Sequence, residues 1–198
     1  METAVKTDRR ILRTKEAIKT AFLNLFLEKE FERITINDIS ERANINRGTV
    51  YLHFLDKYDL LDKCIDDQLN QMSSSCILAP LKREKEELVG ALSAIFAYLE
   101  EHIIFFSAML VNQRTVMFRE RMLRVITELI QEKVDMQGIN QDMDKEMITH
   151  FTASAFVGLV EWWIANRMPH PPQIMAEQVW KLFERNDIQP ISQFQRGS

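Results

Sequence analysis

The sequence predicts an all-α fold, with a small N-terminal unit of three helices followed by a larger helical domain, about nine helices in all. Two observations lead to this prediction. The 198 residues include only five Gly and five Pro, and these are the residues that most disfavour helix interiors. Apolar side chains recur every three or four positions, whereas no stretch alternates polar and apolar residues as a strand does. A hydrophobic fraction of 46% can build a sizeable core at this length.

The first helix is predicted from about Arg9 to Glu28, after a mobile arm formed by residues 1–8. Its apolar residues follow helical spacing and would form the stripe on which other helices pack: Ile11, Ile18, Phe22, Leu25 and Phe26. Arg9, Arg10 and Arg13 open this helix. They either lie in solvent or reach nucleic-acid phosphates, and both interpretations stay open.

Two short helices joined by a tight turn are predicted between Thr35 and Phe54. Thr35 stands where the first of them would begin, and Asp38 three residues later approximates a capping box. The turn ends at Asn46, whose side-chain oxygen can cap the second helix.

The second of these helices has two distinct faces. Val50, Tyr51 and Phe54 are predicted to form its buried stripe, which leaves an exposed set of Arg47, Gly48, Thr49 and His53. Polar side chains on such a face match the hydrogen-bonding groups of base edges, and a glycine lets the backbone approach a groove wall. A helix with this face can lie in the major groove of DNA. We expect base contacts from Asn46, Arg47, Gly48 and Thr49.

These residues resemble the DNA-binding segment of the TetR family of bacterial transcriptional regulators. That segment has a Thr-capped helix, an Ala-Gly-Val-like turn, a Gly-Thr-x-Tyr recognition helix and a Tyr-x-x-Phe-x-x-Lys-x-x-Leu-Leu exit. Here the elements are Thr35, Ala43-Asn44-Ile45, Gly48-Thr49-Val50-Tyr51, and the run from Tyr51 to Leu61. Asn replaces the usual Gly at position 44, and Asn tolerates a positive φ better than most residues, so we expect the turn to be kept.

The resemblance implies a function for each part of the chain. Residues 9–55 would be a helix-turn-helix DNA-binding domain, and residues 56–187 an effector-binding and dimerisation domain. The protein would be a regulator, usually a repressor, that binds a palindromic operator in double-stranded DNA as a homodimer and is released by a small-molecule effector. The resemblance also implies phosphate contacts from Thr35, Tyr51, His53 and Lys57.

The fourth helix is predicted from Lys57 to about Leu78, where Pro80 ends it. It begins in the first domain and ends in the second, so a tilt of this helix would move the recognition helix. The helices predicted after it lie between Pro80 and Leu99, over His102–Leu110, from about Thr115 to Met136, from about Asp142 to Arg167 and from Gln173 to Arg185.

A ligand pocket is expected between the fourth helix and the helices that follow it, lined by aromatic and Met side chains with two polar groups. The candidate residues are Phe96, His102, Phe106, Met109, Met122, Ile126, Phe151, Glu161 and Trp162. The alternative is that each of them is an ordinary core residue. The only ligand class indicated is small and apolar.

The last two helices are expected to form the dimer interface, as the family resemblance implies. The candidate residues are Phe151, Ala155, Gly158, Leu159, Trp162, Met175, Val179, Leu182 and Phe183. Small Ala155 and Gly158 lie about one turn apart, where another helix could approach closely. Packing within one chain would explain the same stripes, but two-fold recognition of palindromic DNA favours the dimer.

Several classes of protein are disfavoured. The signatures of nucleotide-binding loops, zinc proteases and serine hydrolases are absent, so neither an enzyme nor a cofactor is expected. Cys64 and Cys76 lack a paired spacing, and Glu146 with His150 occurs without a second such pair, so we expect no metal site. Neither a signal peptide nor a membrane span is expected, which predicts a cytoplasmic protein.

The formal charge of −4 does not by itself favour DNA. The excess acid lies after Lys63, however, and positive potential is needed only on the face that meets phosphates. The alternative function that remains is a helical sensor or adaptor that acts through protein partners without binding DNA.

Overall fold

The computed structural model describes residues 2–77, 85–111, 116–131, 134, 136–137 and 140–185. Within these ranges the chain forms nine α-helices, with a 3₁₀ turn at Phe31–Arg33 and a π-helical segment at Ser107–Val111. The helices are α1 (Glu2–Glu28), α2 (Ile36–Arg42), α3 (Arg47–Tyr51), α4 (Lys57–Ile77), α5 (Lys85–Glu101), α6 (Ile103–Phe106), α7 (Val116–Gln131), α8 (Lys145–Ala165) and α9 (Pro172–Arg185). The predicted all-α class is confirmed.

The N-terminus differs from the prediction. A mobile arm was predicted over residues 1–8. This prediction was wrong for residues 2–8, because α1 begins at Glu2. This segment contains no Gly or Pro to end a helix. Pro80, predicted to end the fourth helix, lies outside the described residues, as do residues 186 and 187 of the predicted second domain.

The chain divides into two compact units, Met1–Gln68 and Leu69–Ser198. The division lies within α4, and the first half of that helix contributes buried Leu60, Leu61 and Ile65 to the first unit.

In the first unit α2 packs on α1 and on α3. Ile18, Phe22 and Phe26 of α1 are fully buried, whereas Ile11 is 39% exposed and does not extend this stripe. Phe31 of the 3₁₀ turn packs against Phe22 and Phe26, with ring centroids 6.2 and 5.7 Å away. An aromatic core therefore fixes α1 and the 3₁₀ turn beneath the helix-turn-helix.

In the second unit α5 packs on α9 and α7 packs on α8. The Phe96 ring on α5 lies 5.8 Å from that of Phe156 and 5.1 Å from that of Trp163, both on α8. The Trp163 indole N–H donates to the carbonyl of His170 at 2.8 Å, so this buried polar group is satisfied. These contacts place Phe96 at the centre of the unit.

Among the described residues, no single helix is long and apolar enough to cross a membrane. Leu88–Glu101 and Ile103–Leu110 together have the length and apolar composition of a membrane span, but the two segments are bent from each other by 79°.

Candidate nucleic-acid interface

The first helix of the helix-turn-helix begins at a complete capping box. The Asp38 N–H donates to Thr35 Oγ1 at 3.2 Å, and the Thr35 N–H donates back to Asp38 Oδ2 at 2.8 Å. The Thr35 hydroxyl also donates to Asp38 Oδ2, at 2.7 Å, and Lys29 Nζ lies 2.8 Å from the same oxygen. Hydrogen bonds from Lys29 and then Thr35 lower the pKa of the Asp38 carboxyl to about 2. The predicted cap is confirmed, and it uses both donors of Thr35 within the chain.

The turn after α2 reverses the chain through one left-handed residue. Asn44 has a φ of 53°, so the expectation that Asn keeps the turn is confirmed. The Asn44 N–H donates to the Glu41 carbonyl at 3.1 Å, and the Ile45 N–H donates to the Ser40 carbonyl at 3.0 Å. This pair of bonds is the Schellman motif, which satisfies carbonyls at the end of α2.

Asn46 caps α3, as predicted: the Gly48 N–H donates to Asn46 Oδ1 at 2.8 Å. A Cβ placed on Gly48 would meet this oxygen at 3.3 Å, which is tighter than most real Cβ contacts. Gly48 therefore keeps the cap unstrained. It also has no side chain that would project from the outer surface of the helix. The Asn46 amide nitrogen is not used by this bond.

The outward side of α3 carries an arginine and a tyrosine that contact each other. Arg47 donates to the Tyr51 hydroxyl at 3.1 Å, and its guanidinium carbon lies 5.4 Å from the centre of the Tyr51 ring. Tyr51 is 45% exposed, so its predicted place in the buried stripe was wrong, while Val50 and Phe54 are buried as predicted. Within α3 only Val50 is buried, and Phe54 lies three residues beyond the end of that helix, so the buried stripe is narrower than predicted.

Lys57 is half-buried at the start of α4 and bonds to the backbone of the first unit. Its Nζ donates to the carbonyls of Phe31 and Glu32 at 2.9 and 2.8 Å. It also lies 4.7 Å from the centre of the Phe31 ring. Two of its three N–H groups are thus engaged within the chain.

Sequence reasoning missed the residues that attach the end of α3 to α4. Asp56 Oδ1 accepts from the N–H groups of Tyr58 and Asp59, both at 2.8 Å, and so caps α4. The Leu55 N–H donates to Asp59 Oδ2 at 2.8 Å, and Lys63 bridges Asp59 Oδ2 and the His53 carbonyl at 2.8 and 3.3 Å. Bonds from Lys63 and Leu55 lower the pKa of the Asp59 carboxyl.

Two signals for these contacts were present in the sequence. Asp56 directly before a predicted helix start is an N-cap, and Asp59 with Lys63 is an i, i+4 pair of opposite charge. The turn from α3 into α4 is therefore held by Asp56, directly before α4, and by Asp59 and Lys63 of α4.

The C-terminal end of α2 is joined to α1 by a bidentate salt bridge. Arg42 donates to both carboxylate oxygens of Glu28, at 2.8 and 2.6 Å. These bonds lower the pKa of Glu28 and raise that of Arg42. Both groups are exposed, so the pair orients α2 more than it stabilises the fold.

Two stretches of the chain match known families. Residues 18–64 match "Bacterial regulatory proteins, tetR family", and residues 86–185 match "Transcriptional regulator C-terminal region". The chain belongs to the TetR family. It is thus a member of a family of transcriptional regulators with an N-terminal DNA-binding helix-turn-helix.

Individual relatives agree with this assignment. The chain is 27% identical to "Uncharacterized HTH-type transcriptional regulator YxbF" of Bacillus subtilis (strain 168) over 181 residues, 86% of this chain and 44% of that protein. It is 24% identical over 183 residues to a "Probable acrEF/envCD operon repressor" of Escherichia coli (strain K12), with 82% of this chain and 81% of that protein covered. The chain therefore spans less than half of the first relative and most of the second.

A solved structure shows the same fold. The putative TetR-family transcriptional regulator from Syntrophomonas wolfei str. Goettingen superposes with a TM-score of 0.67, at 19% identity. The match covers 90% of this chain and 97% of that one.

The predicted pocket residues of this TetR chain fall into different environments. Most are buried: Phe96, Phe106, Met109, Met122 and Ile126. His102 is half-buried and stacks on Tyr98, with ring centroids 4.1 Å apart. Glu161 accepts from Arg119 at 2.8 Å, so an ion pair already uses this predicted polar handle. Phe151 and Trp162 are 63% and 45% exposed and therefore do not line the interior of the chain.

The predicted dimer residues also divide into two groups. Phe151, Ala155, Trp162 and Leu182 are exposed, and Gly158, Leu159 and Phe183 are half-buried. Met175 and Val179 are only 2% and 1% exposed. They lie in the interior of the unit, where α9 packs on α5, and so do not belong to an exposed surface. Met147 on α8 and Ile174 on α9 are further exposed apolar residues, at 66% and 39% exposure.

Among the described residues no group of three or more His, Cys, Asp or Glu side chains could hold a metal ion. Cys64 is buried, and burial raises the pKa of its thiol to about 12, which keeps it protonated and unreactive.

Proposed function

We propose that this TetR-family chain is a repressor that binds a palindromic operator as a homodimer, through one α3 helix from each copy, and is released by a small apolar effector. One observation supports the DNA-binding step above all others. The outward side of α3 is exposed. The Gly48 N–H donates to Asn46 Oδ1 at the start of the helix, and Lys63 donates to the His53 carbonyl directly after its end. A short helix fixed at both ends presents its polar groups to a groove at little further entropic cost.

Base contacts come from the polar groups at the start of α3. Arg47 can pair with a guanine edge, the free amide nitrogen of Asn46 can donate, and Thr49 offers a hydroxyl. Gly48, between them, has no side chain to hold the backbone away from the groove. Arg47 leaves the Tyr51 hydroxyl when it does so, which exchanges one exposed bond for a bidentate one.

Phosphate contacts come from the rim of the same surface: Thr35, Tyr51, His53 and Lys57. Tyr51 and His53 keep polar side-chain atoms for this purpose, and Lys57 keeps one N–H beyond its two carbonyl partners. Thr35 must exchange a bond to Asp38 for a bond to phosphate, because both of its donors serve the capping box. Of the four, Thr35 should therefore contribute least to affinity.

The dimer forms on an apolar stripe along α8. Met147, Phe151 and Trp162 are 66%, 63% and 45% exposed and lie on one side of this helix, with Ala155 and Leu159 between them. A Cβ added at Gly158 meets nothing within 4 Å, so there is room at that point for a second helix. Ile174 and Leu182 add exposed apolar groups on α9. Such a stripe is typical of protein interfaces.

The effector enters the interior of the second unit. The Thr152 hydroxyl is buried and has no hydrogen-bond partner among the described residues. It lies one turn before Phe156 on α8, on the side that meets the Phe96 ring. An unpaired buried hydroxyl is unfavourable by about 1–3 kcal/mol, and a small ligand with one polar group would satisfy it.

In vitro selection from random duplex DNA tests this function. The selected sequences should contain an inverted repeat, and fluorescence anisotropy at two salt concentrations should show weaker binding at higher salt. Arg47→Ala should change the preferred base at one position of each half-site, whereas Arg121→Ala, a control on α7, should not. If no sequence is enriched, operator binding is refuted and an adaptor that acts through protein partners is favoured.

Release by the effector is tested on the selected operator. A library of small apolar compounds is screened for loss of anisotropy, and each compound that releases DNA is repeated with Thr152→Val. A compound that acts on the parent chain and fails on the variant supports an interior site. Equal release from both proteins would contradict the place given to Thr152.

A further inference from the structure

Leu52 has an unusual position for an apolar residue. At 81% exposure it is the most exposed of the large apolar side chains in the described part of the chain. Its backbone is still helical, with φ −68° and ψ −20°, and its N–H donates to the Gly48 carbonyl at 3.1 Å. Leu52 therefore continues α3 and lies one turn beyond Gly48 on the same side.

That side is the centre of the outward face of α3. Val50 is fully buried and marks the inward direction of the helix. At 100° per residue, the positions most nearly opposite Val50 are Gly48 and Leu52. Arg47 and Tyr51 lie to one side of this line and Thr49 to the other. The side chain that projects farthest along the middle of the face is thus a leucine between polar neighbours.

We propose that Leu52 is a specificity-determining residue that contacts the C5-methyl group of a thymine in each operator half-site. The inference rests on the proposed function, in which α3 lies in the major groove. The thymine methyl is the one apolar group that base pairs present in that groove. A leucine at the middle of the face would meet an unfavourable polar edge at the other base pairs, so Leu52 selects for thymine by contact and against other bases by desolvation.

The neighbouring apolar residues do not share this placement. Leu55, at 79% exposure, lies beyond α3 in the turn that the Asp59 carboxylate fixes through the Leu55 N–H. Tyr58 is 57% exposed on α4, and its ring lies 5.1 Å from that of Phe31. Of the exposed leucines in the described part of the chain, only Leu52 lies on the surface that carries Arg47 and Thr49.

The test replaces thymines by deoxyuridine in the selected operator, in symmetric pairs, one pair at a time. This removes a methyl group and leaves the hydrogen-bonding groups of the base unchanged. For the parent chain, deoxyuridine at one or more of these symmetric pairs should weaken operator binding by about fourfold per half-site. This is the factor expected for one buried methyl group. Leu52→Ala should bind the thymine and deoxyuridine operators equally. Leu52→Met should keep the discrimination.

Leu27→Ala is the matched control, because Leu27 is an exposed leucine of α1 in the same unit, at 40% exposure. It should discriminate between the operators as the parent chain does. Circular dichroism and the elution volume of each variant verify fold and oligomeric state.

The remaining outcomes overturn the inference in distinguishable ways. If the parent chain binds its operator but loses no affinity at any deoxyuridine pair, Leu52 does not contact a thymine methyl. If Leu52→Ala keeps the full discrimination, another residue makes the contact. If Leu52→Ala changes only the oligomeric state, the leucine serves a protein interface. Failure of the parent chain to bind any DNA would instead refute the proposed function itself, and this inference with it.

Discussion

The ammonium group of Lys57 lies 2.9 Å from the carbonyl oxygen of Phe31 and 4.7 Å from the centre of the Phe31 ring. The start of α4 is thereby attached to the 3₁₀ turn that follows α1. A lysine expected to contact phosphate consequently also has a structural role, because its charge satisfies two backbone carbonyls of that turn. The two roles have separate experimental consequences.

Replacing Lys57 should affect both stability and DNA binding. Lys57→Met keeps the apolar stem and removes the charged donor, so the free energy of unfolding should fall by about 1–3 kcal/mol, the range for a lost charge-assisted bond. Binding should weaken on all operators alike, and the slope of log K against log salt should become shallower by about one per chain. Urea denaturation and anisotropy measure the two effects. Lys145→Met, at an exposed position on α8, is the control; unchanged stability of the Lys57 variant would contradict the structural role.

The left-handed conformation of Asn44 predicts how the stability of the chain changes when this residue is replaced. Asn44 has a φ of 53°, a conformation that disfavours residues with a Cβ. Asn44→Ala should lower the free energy of unfolding by about 1 kcal/mol, because Ala lacks the compensating side-chain polarity of Asn, whereas Asn44→Gly should be neutral or stabilising. Thermal and urea unfolding of the three proteins give the order. Equal losses for Ala and Gly would show that the Asn side chain, and not its φ, matters at this position.

Acid should weaken the capping box at lower pH than it affects an ordinary aspartate. Lys29 and Thr35 hold the pKa of Asp38 at about 2, below its usual 3.8. A folded-state pKa that is lowered contributes stability above the unfolded-state pKa, and this contribution is lost as pH falls through about 4 towards 2. Asp38→Asn should therefore be less stable than the parent chain at pH 7, and the difference should shrink on acidification.

NMR titration of the Asp38 carboxyl measures that pKa directly. The matched control for the unfolding experiment is Glu41→Gln, an exposed acid on the same helix. A titration midpoint near 3.8 for Asp38 would refute the capping-box electrostatics, as would a stability difference that stayed constant between pH 7 and pH 2.

Short-range rules predicted much of the helix-turn-helix. The Thr35 and Asn46 caps and the positive φ of Asn44 each depend on residues within four positions of one another, and all three are confirmed. The partners of Lys57 are 25 and 26 residues away, so helix spacing could not identify them.

Periodicity also cannot tell which neighbour covers an apolar stripe. Met175 and Val179 on α9 are covered by their own chain, whereas Phe151 and Trp162 on α8 are not. The sequence pattern of these residues is the same, so all four were assigned to one interface. Tyr51 was misassigned for a related reason: helical spacing does not show which flank of a short helix is covered, and Tyr51 is 45% exposed beside buried Val50.

The exposed stripe of α8 gives the most direct test of dimerisation. Phe151 is 63% exposed within one chain, so Phe151→Glu should leave the chain folded. In a dimer, each copy would bury a carboxylate against apolar Met147 and Trp162, and a central interface residue of this kind changes affinity by 2 kcal/mol or more, about 30-fold in the dissociation constant. Sedimentation equilibrium should show the parent chain as a dimer and the variant as a monomer at the same concentration.

Met117→Glu provides the matched control, since Met117 is 51% exposed on α7, outside the α8 stripe, and should leave the dimer intact. On DNA, Phe151→Glu should bind the full palindrome no more tightly than a single half-site, because linked recognition of two half-sites requires two joined chains. A Phe151→Glu protein that remained dimeric would show that the α8 stripe does not join the two copies, and the two-fold arrangement of the α3 helices would then need another interface.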